Sequence, residues 1–102
     1  MNFSFWYVVD HGITLESKYP YKGVAASCHY NDTDQAWIIH DCTEVTVDKE
    51  KALLAAIAQQ PVSVAIEANH LSFQLYKSGV YNGNCGTKLD HRVLAVGYGA
   101  LD

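Results

Sequence analysis

Charged residues are few in this chain, and basic ones are fewer than acidic ones. Its 102 residues include 7 Lys and Arg against 11 Asp and Glu, for a formal net charge of −4. Because nucleic acids are bound through basic patches, this balance argues against a nucleic acid as partner. Long apolar runs are also missing, and none approaches the roughly 18 residues of a membrane-spanning helix. The apolar run at 3–9 lacks a basic flank and a small-residue cleavage site, so we expect no signal peptide here.

Proline is rare, and no segment is repeated or of low complexity. Apolar residues make up 49% of the chain and charged residues 18%, which is typical of globular proteins and not of disordered ones. The length leaves room for one domain at most, and a chain this short buries only somewhat more than about 60% of its unfolded surface. We therefore expect a single domain with a small core.

Cysteine occurs three times, at Cys28, Cys42 and Cys85. All three could be free thiols, or two of them could form a bridge, which requires Cα atoms within about 7 Å. A metal site is a third alternative, because Cys28 and Cys42 each have a histidine within two positions. Neither has the C-x₂₋₄-C spacing of a structural zinc site, so we expect no metal.

The first half of the chain predicts a helix, a loop and a strand. Residues 3–11 are mostly apolar and aromatic and predict a helix, with Gly12 as its C-terminal stop. The stretch 13–35 contains proline, glycine and an Asn-Asp-Thr-Asp cluster, which are typical of loops. Residues 36–47 alternate loosely and are rich in Ile, Val and Thr, which predicts a strand.

The second half predicts a helix followed by short elements. Asp48 can cap a helix that continues to about Gln59, since its side chain can accept hydrogen bonds from first-turn N–H groups. Leu53, Leu54 and Ile57 would form one apolar stripe on that helix. The remaining elements are a half-buried strand at 62–67, a helical turn at 69–76, a strand near 79–81 and a strand from about 90 to 98.

Four segments carry specific motifs in a fixed order. Residues 12–21 read GITLESKYPY, residues 60–66 QPVSVAI, residues 73–81 FQLYKSGVY and residues 84–99 NCGTKLDHRVLAVGYG. These segments resemble landmarks of the papain-like cysteine peptidases, in the cathepsin L-like branch, and the likeness covers about residues 3–99. With the strand alternation, it implies an α+β fold that has a small, mostly antiparallel sheet or incomplete barrel and one main helix. Residues 1–12 would end a helix of the family's helical half, and residues 13–102 would belong mostly to its β-rich half, which carries the histidine.

The resemblance assigns the catalytic histidine to His91. In the family this histidine forms an ion pair with a nucleophilic cysteine, which lowers the pKa of the thiol, and it later protonates the leaving amine. An asparagine orients its ring. The cysteine would lie about 40–60 residues before Met1 and the asparagine after Asp102, so we expect a partial chain. Such a chain should hydrolyse no peptide bond by itself.

Four residues near this histidine in the family's site would contact a bound peptide: Ala65, Leu89, Asp90 and Arg92. Asp90 lies at the cleft in many relatives, and an ordinary surface carboxylate is an equal alternative. Arg92 stands where the family most often has Gly or Ala, beside a pocket for an apolar substrate side chain. An unpaired guanidinium there would cost several kcal/mol, so we expect Arg92 to pair with Glu67 or Asp90 or to reach water.

The resemblance also concerns cysteines, partners and location. It implies that Cys28 pairs with an upstream cysteine and Cys85 with a downstream one, while the role of Cys42 stays open. It implies a peptide or protein substrate, no cofactor, and a lysosomal or secreted protein. The alternative is a non-catalytic papain-like remnant that acts as a binding or regulatory protein. Exposed apolar surface would favour self-association and marginal stability. The other histidines have no partner pattern and are expected to be structural or solvated: His11, His29, His40 and His70.

Overall fold

The computed structural model describes residues 1–100, in two units that divide between Glu44 and Val45. The first unit holds helix α1 (Asn2–His11) and a 3-10 helix (Asp32–Asp34). The second holds helices α2 (Glu50–Ile57) and α3 (Leu71–Gln74) and strands β1 (Val62–Ile66) and β2 (His91–Ala95).

Helix α1 ends where the sequence predicts, at Gly12. The Gly12 N–H donates to the Val8 carbonyl at 2.8 Å, and its backbone adopts φ 77° and ψ −170°. Residues other than glycine essentially never adopt this backbone conformation. The chain therefore leaves the helix at a residue that only glycine fits.

The strand predicted at 36–47 is wrong. This stretch forms one isolated antiparallel bridge, between Ile13 and Trp37, whose two N–H···O bonds measure 2.8 and 3.1 Å. Extending the bridge would set Ile38 opposite Gly12, and Gly12 is already committed to ending α1. Alternation alone is not sufficient, because a strand also needs a partner along its length.

The predicted Asp48 cap is also wrong. Asp48 lies in the left-handed region with φ 56°, Lys49 occupies the capping position, and no side chain caps helix α2. Aspartate tolerates this conformation better than most residues, and here it turns the chain into the helix. The helix ends at Ile57, and the N–H groups of the next glutamines donate to the Ala56 carbonyl in a closing turn. The predicted apolar stripe is half-buried: Leu53, Leu54 and Ile57.

The two strands pair antiparallel, with a register that runs from Val62 opposite Ala95 to Ile66 opposite His91. This confirms the α+β class with a small antiparallel sheet. Strand β2 stops at Ala95, short of the predicted residue 98. The reason is in its partner, since Val62 begins β1 and the preceding Pro61 has no N–H to donate.

The strand predicted near 79–81 is wrong, because the chain turns there. Gly79 has φ 85°, and the Tyr76 hydroxyl donates to its carbonyl across the turn. A left-handed residue interrupts an extended strand, and glycine adopts that conformation without steric cost.

Large apolar side chains remain accessible throughout the structure. Among residues 1–100 no hydrophobic side chain is fully buried, and Phe3 is 89% exposed. The other aromatic residues of α1 are also exposed, between 38% and 47%: Phe5, Trp6 and Tyr7. An apolar surface of this extent is typical of an interface.

Candidate active site

His91 is the first residue of β2 and is exposed. It pairs with Ile66, the last residue of β1, and the N–H of the preceding Asp90 donates to the Ile66 carbonyl at 3.0 Å. The sheet ladder thus fixes the backbone immediately before and at the histidine. His91 consequently lies at one end of the sheet, where its ring is accessible to solvent and to other groups.

The Asp90 side chain adds a second bond to the same segment. Its Oδ1 accepts a hydrogen bond from the Ala68 N–H at 2.8 Å. A carboxylate in this position takes the role of a backbone carbonyl, because it accepts an amide hydrogen just beyond the last strand pair. Asp90 therefore holds the chain that leaves β1 next to the start of β2.

A pocket of about 440 Å³ opens beside His91. It is lined by Ala68, Asn69, Phe73, Gln74, Asp90 and His91. Of the residues that the sequence singled out, the structure brings Asp90 and His91 to this pocket. Ala65, Leu89 and Arg92 are not among its lining residues, and Leu89 is 52% exposed.

Helix α3 forms the far wall of the pocket. The Gln74 side-chain amide donates to the Asn69 carbonyl at 3.2 Å, which ties the helix to the loop before it. Phe73 meets the Tyr81 ring edge-on, with centroids 5.3 Å apart, and the Tyr81 hydroxyl donates to the Asn84 carbonyl at 3.0 Å. Sequence reasoning did not assign this wall a role, although Phe73 and Gln74 begin the FQLY motif.

The sequence suggests Glu67 only as a partner for Arg92, and the structure gives it another place. Its side chain is 9% exposed, and its Oε2 accepts from the Lys88 N–H at 3.1 Å. The His70 Nε2 lies 3.6 Å from the other carboxylate oxygen. A Cβ at position 86 would overlap this carboxylate, so the loop can approach Glu67 only because residue 86 is glycine. Glu67 thereby holds the loop that leads into His91.

Arg92 pairs with Ala65 in the sheet register and is exposed. Neither expected carboxylate binds it, since Glu67 faces His70 and Asp90 accepts from a backbone amide. Within the described part of the chain no ion pair involves Arg92. Its guanidinium is therefore left to solvent, which avoids the desolvation cost of a buried charge.

The first unit has a separate pocket of about 640 Å³ between α1 and the loop that follows it. Tyr7, Cys28 and Tyr30 contribute to its lining, and the two tyrosine rings meet edge-on at 5.9 Å. Partial desolvation raises the pKa of the Tyr7 hydroxyl above its usual value, and the nearby Cys28 thiol raises it further. Partial desolvation likewise raises the pKa of the Tyr30 hydroxyl, together with Asp32.

All three cysteines are free thiols in the structure, with Cys42 half-buried and the other two exposed. Across residues 1–100 no three His, Cys, Asp or Glu side chains cluster closely enough to hold a metal ion. The helices described over the same range are too short or too polar to cross a bilayer.

We expect the two carboxylates beside His91 to protect different amides. Asp90→Ala should speed hydrogen exchange at the Ala68 N–H, and Glu67→Ala should speed it at the Lys88 N–H. In each variant the amide loses the carboxylate that accepts its hydrogen bond. A bond worth about 1 kcal/mol corresponds to a factor of roughly five in exchange rate. Exchange followed by NMR would check this, and each variant is the control for the other. Equal effects of both variants on both amides would contradict it.

Comparison with known proteins places this chain in a family. The model for the papain family of cysteine proteases matches residues 1–102. The chain is 51% identical over 89 residues to the senescence-specific cysteine protease SAG12 of Arabidopsis thaliana, covering 86% of this chain and 26% of that protein. It is 48% identical over 90 residues to the KDEL-tailed cysteine endopeptidase CEP2 of the same plant, covering 87% and 25%.

A solved structure supports the same family. The Carica candamarcensis cysteine protease CMS1MS2, in complex with E-64, superposes with a TM-score of 0.86 at 39% identity. The superposition covers 95% of this chain and 46% of that one. The chain belongs to the papain family of cysteine proteases. It spans about a quarter of the length of the curated relatives it matches, 26% of SAG12 and 25% of CEP2.

Proposed function

We propose that residues 1–102 supply the histidine of a papain-like cysteine endopeptidase and that His91 is that histidine. One observation carries the proposal. In a chain that matches the family model throughout, the histidine of the LDH motif (Leu89-Asp90-His91) is exposed at a strand start and shares a pocket with Asp90. A catalytic base must be within reach of both the nucleophile and the substrate, and an exposed position at a pocket allows both.

His91 would act twice in peptide-bond hydrolysis. As the imidazolium it would stabilise a cysteine thiolate, which attacks the carbonyl carbon of the peptide, and it would then give its proton to the leaving amine. As the neutral imidazole it would take a proton from the water that hydrolyses the thioester. The sheet ladder at Ile66 supports this role, because a positioned base needs a fixed backbone.

The substrate contacts are proposals as well. We propose that a peptide or protein substrate meets Asp90 at the pocket and reaches Ala65, Leu89 and Arg92 beside it. The exposed Arg92 would favour an acidic or polar substrate side chain over the apolar one usual in the family. The exposed aromatic residues of α1 would favour self-association when no other surface covers them.

We also propose a lysosomal or secreted location for the protein. The family resemblance supports it, and one relative, CEP2, is a KDEL-tailed endopeptidase. A KDEL tail is read in the endoplasmic reticulum, which places that relative on the secretory pathway.

A hybrid enzyme tests the proposed function. Residues of this chain replace the superposed segment of the Carica candamarcensis protease, with the junctions set by the structural superposition. We expect the purified hybrid to cleave a fluorogenic peptide and residues 1–102 alone to cleave none, because the acyl-enzyme route needs a thiolate beside the base.

A hybrid that folds, as judged by circular dichroism and cooperative unfolding, and yet cleaves nothing would contradict the proposal. That outcome would instead favour a non-catalytic papain-like protein with a binding or regulatory role. Cleavage by residues 1–102 alone would show that the chain carries a catalytic group of its own.

A further inference from the structure

Asn31, Asp32 and Thr33 form an N-x-T sequence without proline at its centre, which is the acceptor pattern for N-linked glycosylation. We propose that Asn31 carries an N-linked glycan, donated by a polyisoprenyl-diphosphate-linked oligosaccharide. The proposal rests on the secretory location proposed above, since this modification belongs to secreted and lysosomal proteins. It does not depend on whether His91 is catalytic.

The structure shows the acceptor side chain in a suitable arrangement. The Asn31 Oδ1 accepts hydrogen bonds from the Thr33 N–H and from the Thr33 hydroxyl, both at 3.0 Å. Both bonds go to the oxygen, so Nδ2, the atom that would be modified, has no protein partner among residues 1–100. Donation to the carbonyl oxygen also withdraws electron density from the amide and makes its N–H more acidic.

The chemical step balances with this donor. The Asn31 Nδ2 forms a bond to C1 of the first sugar, and the bond between C1 and the diphosphate oxygen breaks. The polyisoprenyl diphosphate leaves with the electron pair, and one proton leaves Nδ2. No oxidant or reductant is required.

The fold leaves room for a large hydrophilic group at this position. Asn31 precedes the 3-10 helix Asp32–Asp34, and all residues from 31 to 37 are exposed. The next residue, Asp32, has its Oδ1 3.8 Å from the His11 Nδ1, and these two side chains are 77% and 48% exposed. A glycan is bulky and solubilising, and a surface turn accommodates it without displacing packed side chains.

The chain contains a second match to the acceptor pattern, Asn2-Phe3-Ser4, which serves as an internal comparison. Asn2 lies in the first turn of α1, and its Nδ2 donates to the Glu44 carboxylate. A glycan there would remove this contact, whereas a glycan on Asn31 removes none. The structure therefore favours Asn31 over Asn2.

Expression with a secretory leader in a eukaryotic cell tests the proposal, because the contacts that hold the Asn31 side chain lie within residues 31–33 and do not require the rest of the fold. Treatment of the secreted chain of residues 1–102 with peptide:N-glycosidase should lower its mass in one step. Asn31→Gln and Asp32→Pro should each abolish that step, although Asp32→Pro keeps the side chains of both Asn31 and Thr33. Thr33→Ser should retain it, and Asn2→Gln should leave it unchanged.

Peptide mapping of the protein from its natural source tests the same site. Trypsin should release residues 23–49, in which Asn31 is the only asparagine. Deglycosylation in ¹⁸O-water should convert Asn31 to ¹⁸O-labelled aspartate in this peptide. An unlabelled peptide 23–49, or a mass step that survives Asn31→Gln and is lost in Asn2→Gln, would overturn the proposal. The activity of the hybrid enzyme is measured separately, so neither result decides the other.

Discussion

Replacing His91 by alanine in the hybrid peptidase should lower kcat/KM for a peptide substrate by about 10⁴-fold. The variant loses the group that stabilises the thiolate and the group that protonates the leaving amine. KM should change little, because the imidazole contributes mainly to the transition state. Steady-state kinetics with a fluorogenic peptide measures both constants.

His40→Ala is the matched control for this variant. His40 is exposed, and no hydrogen bond, ion pair or ring contact involves it within residues 1–100. We expect its kcat/KM to stay within about twofold of the parent hybrid, because solvated surface substitutions usually have small effects. If His91→Ala kept activity within tenfold, or if His40→Ala were equally damaging, the assignment of His91 would be wrong.

Gly12→Ala should destabilise the first unit by about 3 kcal/mol, the largest stability effect that we expect from one added methyl group. The buried Gly12 holds φ 77° and ψ −170°, where any other side chain is strained. An added Cβ would also overlap the Gln35 side chain, which packs against this turn. Urea unfolding of the hybrid, followed by circular dichroism, measures the loss.

Gly97→Ala provides the comparison for Gly12→Ala. A Cβ at Gly97 would meet no atom within 4 Å, and its φ is not positive. The change in unfolding free energy should then stay within about 0.5 kcal/mol. Equal losses in the two variants would show that the backbone conformation at Gly12 does not limit stability.

Local signals in the sequence predicted much of the fold. Gly12 marked the end of α1 because only glycine adopts its backbone conformation. This signal depends on the residue type alone and not on distant contacts. The alternation at 62–67 predicted the strand that β1 forms, and the helical turn expected at 69–76 contains α3. The motif around His91 placed the histidine at a strand start, which is where the structure has it.

Two predictions that proved wrong, the strand at 36–47 and the Asp48 cap, depended on the surrounding fold. The stretch 36–47 has strand-like composition, but its partner Ile13 follows the glycine that ends α1, so pairing stops after one bridge. Asp48 has a capping side chain, yet the chain direction needed before α2 puts it in the left-handed region. Neither constraint is visible in a local window of sequence.

The same limit applies to the candidate site. Sequence reasoning could place Asp90 and His91 together, because they are adjacent in the chain. The bond from Lys88 to Glu67 joins residues 21 positions apart, and it depends on Gly86 having no side chain. Sequence reasoning could name Glu67 as a free carboxylate but could not tell which donor it would meet.

The most direct test of the central claim is the pH dependence of thiol alkylation in the hybrid. Iodoacetamide reacts with the thiolate of the nucleophilic cysteine, and peptide mapping distinguishes this residue from Cys28, Cys42 and Cys85. If His91 is its partner, the parent hybrid should react rapidly at pH 6, where an ordinary thiol with a pKa of about 8.5 is almost entirely protonated. In His91→Ala the pKa should rise to that ordinary value and the rate at pH 6 should fall about 10²-fold. An unchanged rate profile between pH 4 and 9 would contradict the account.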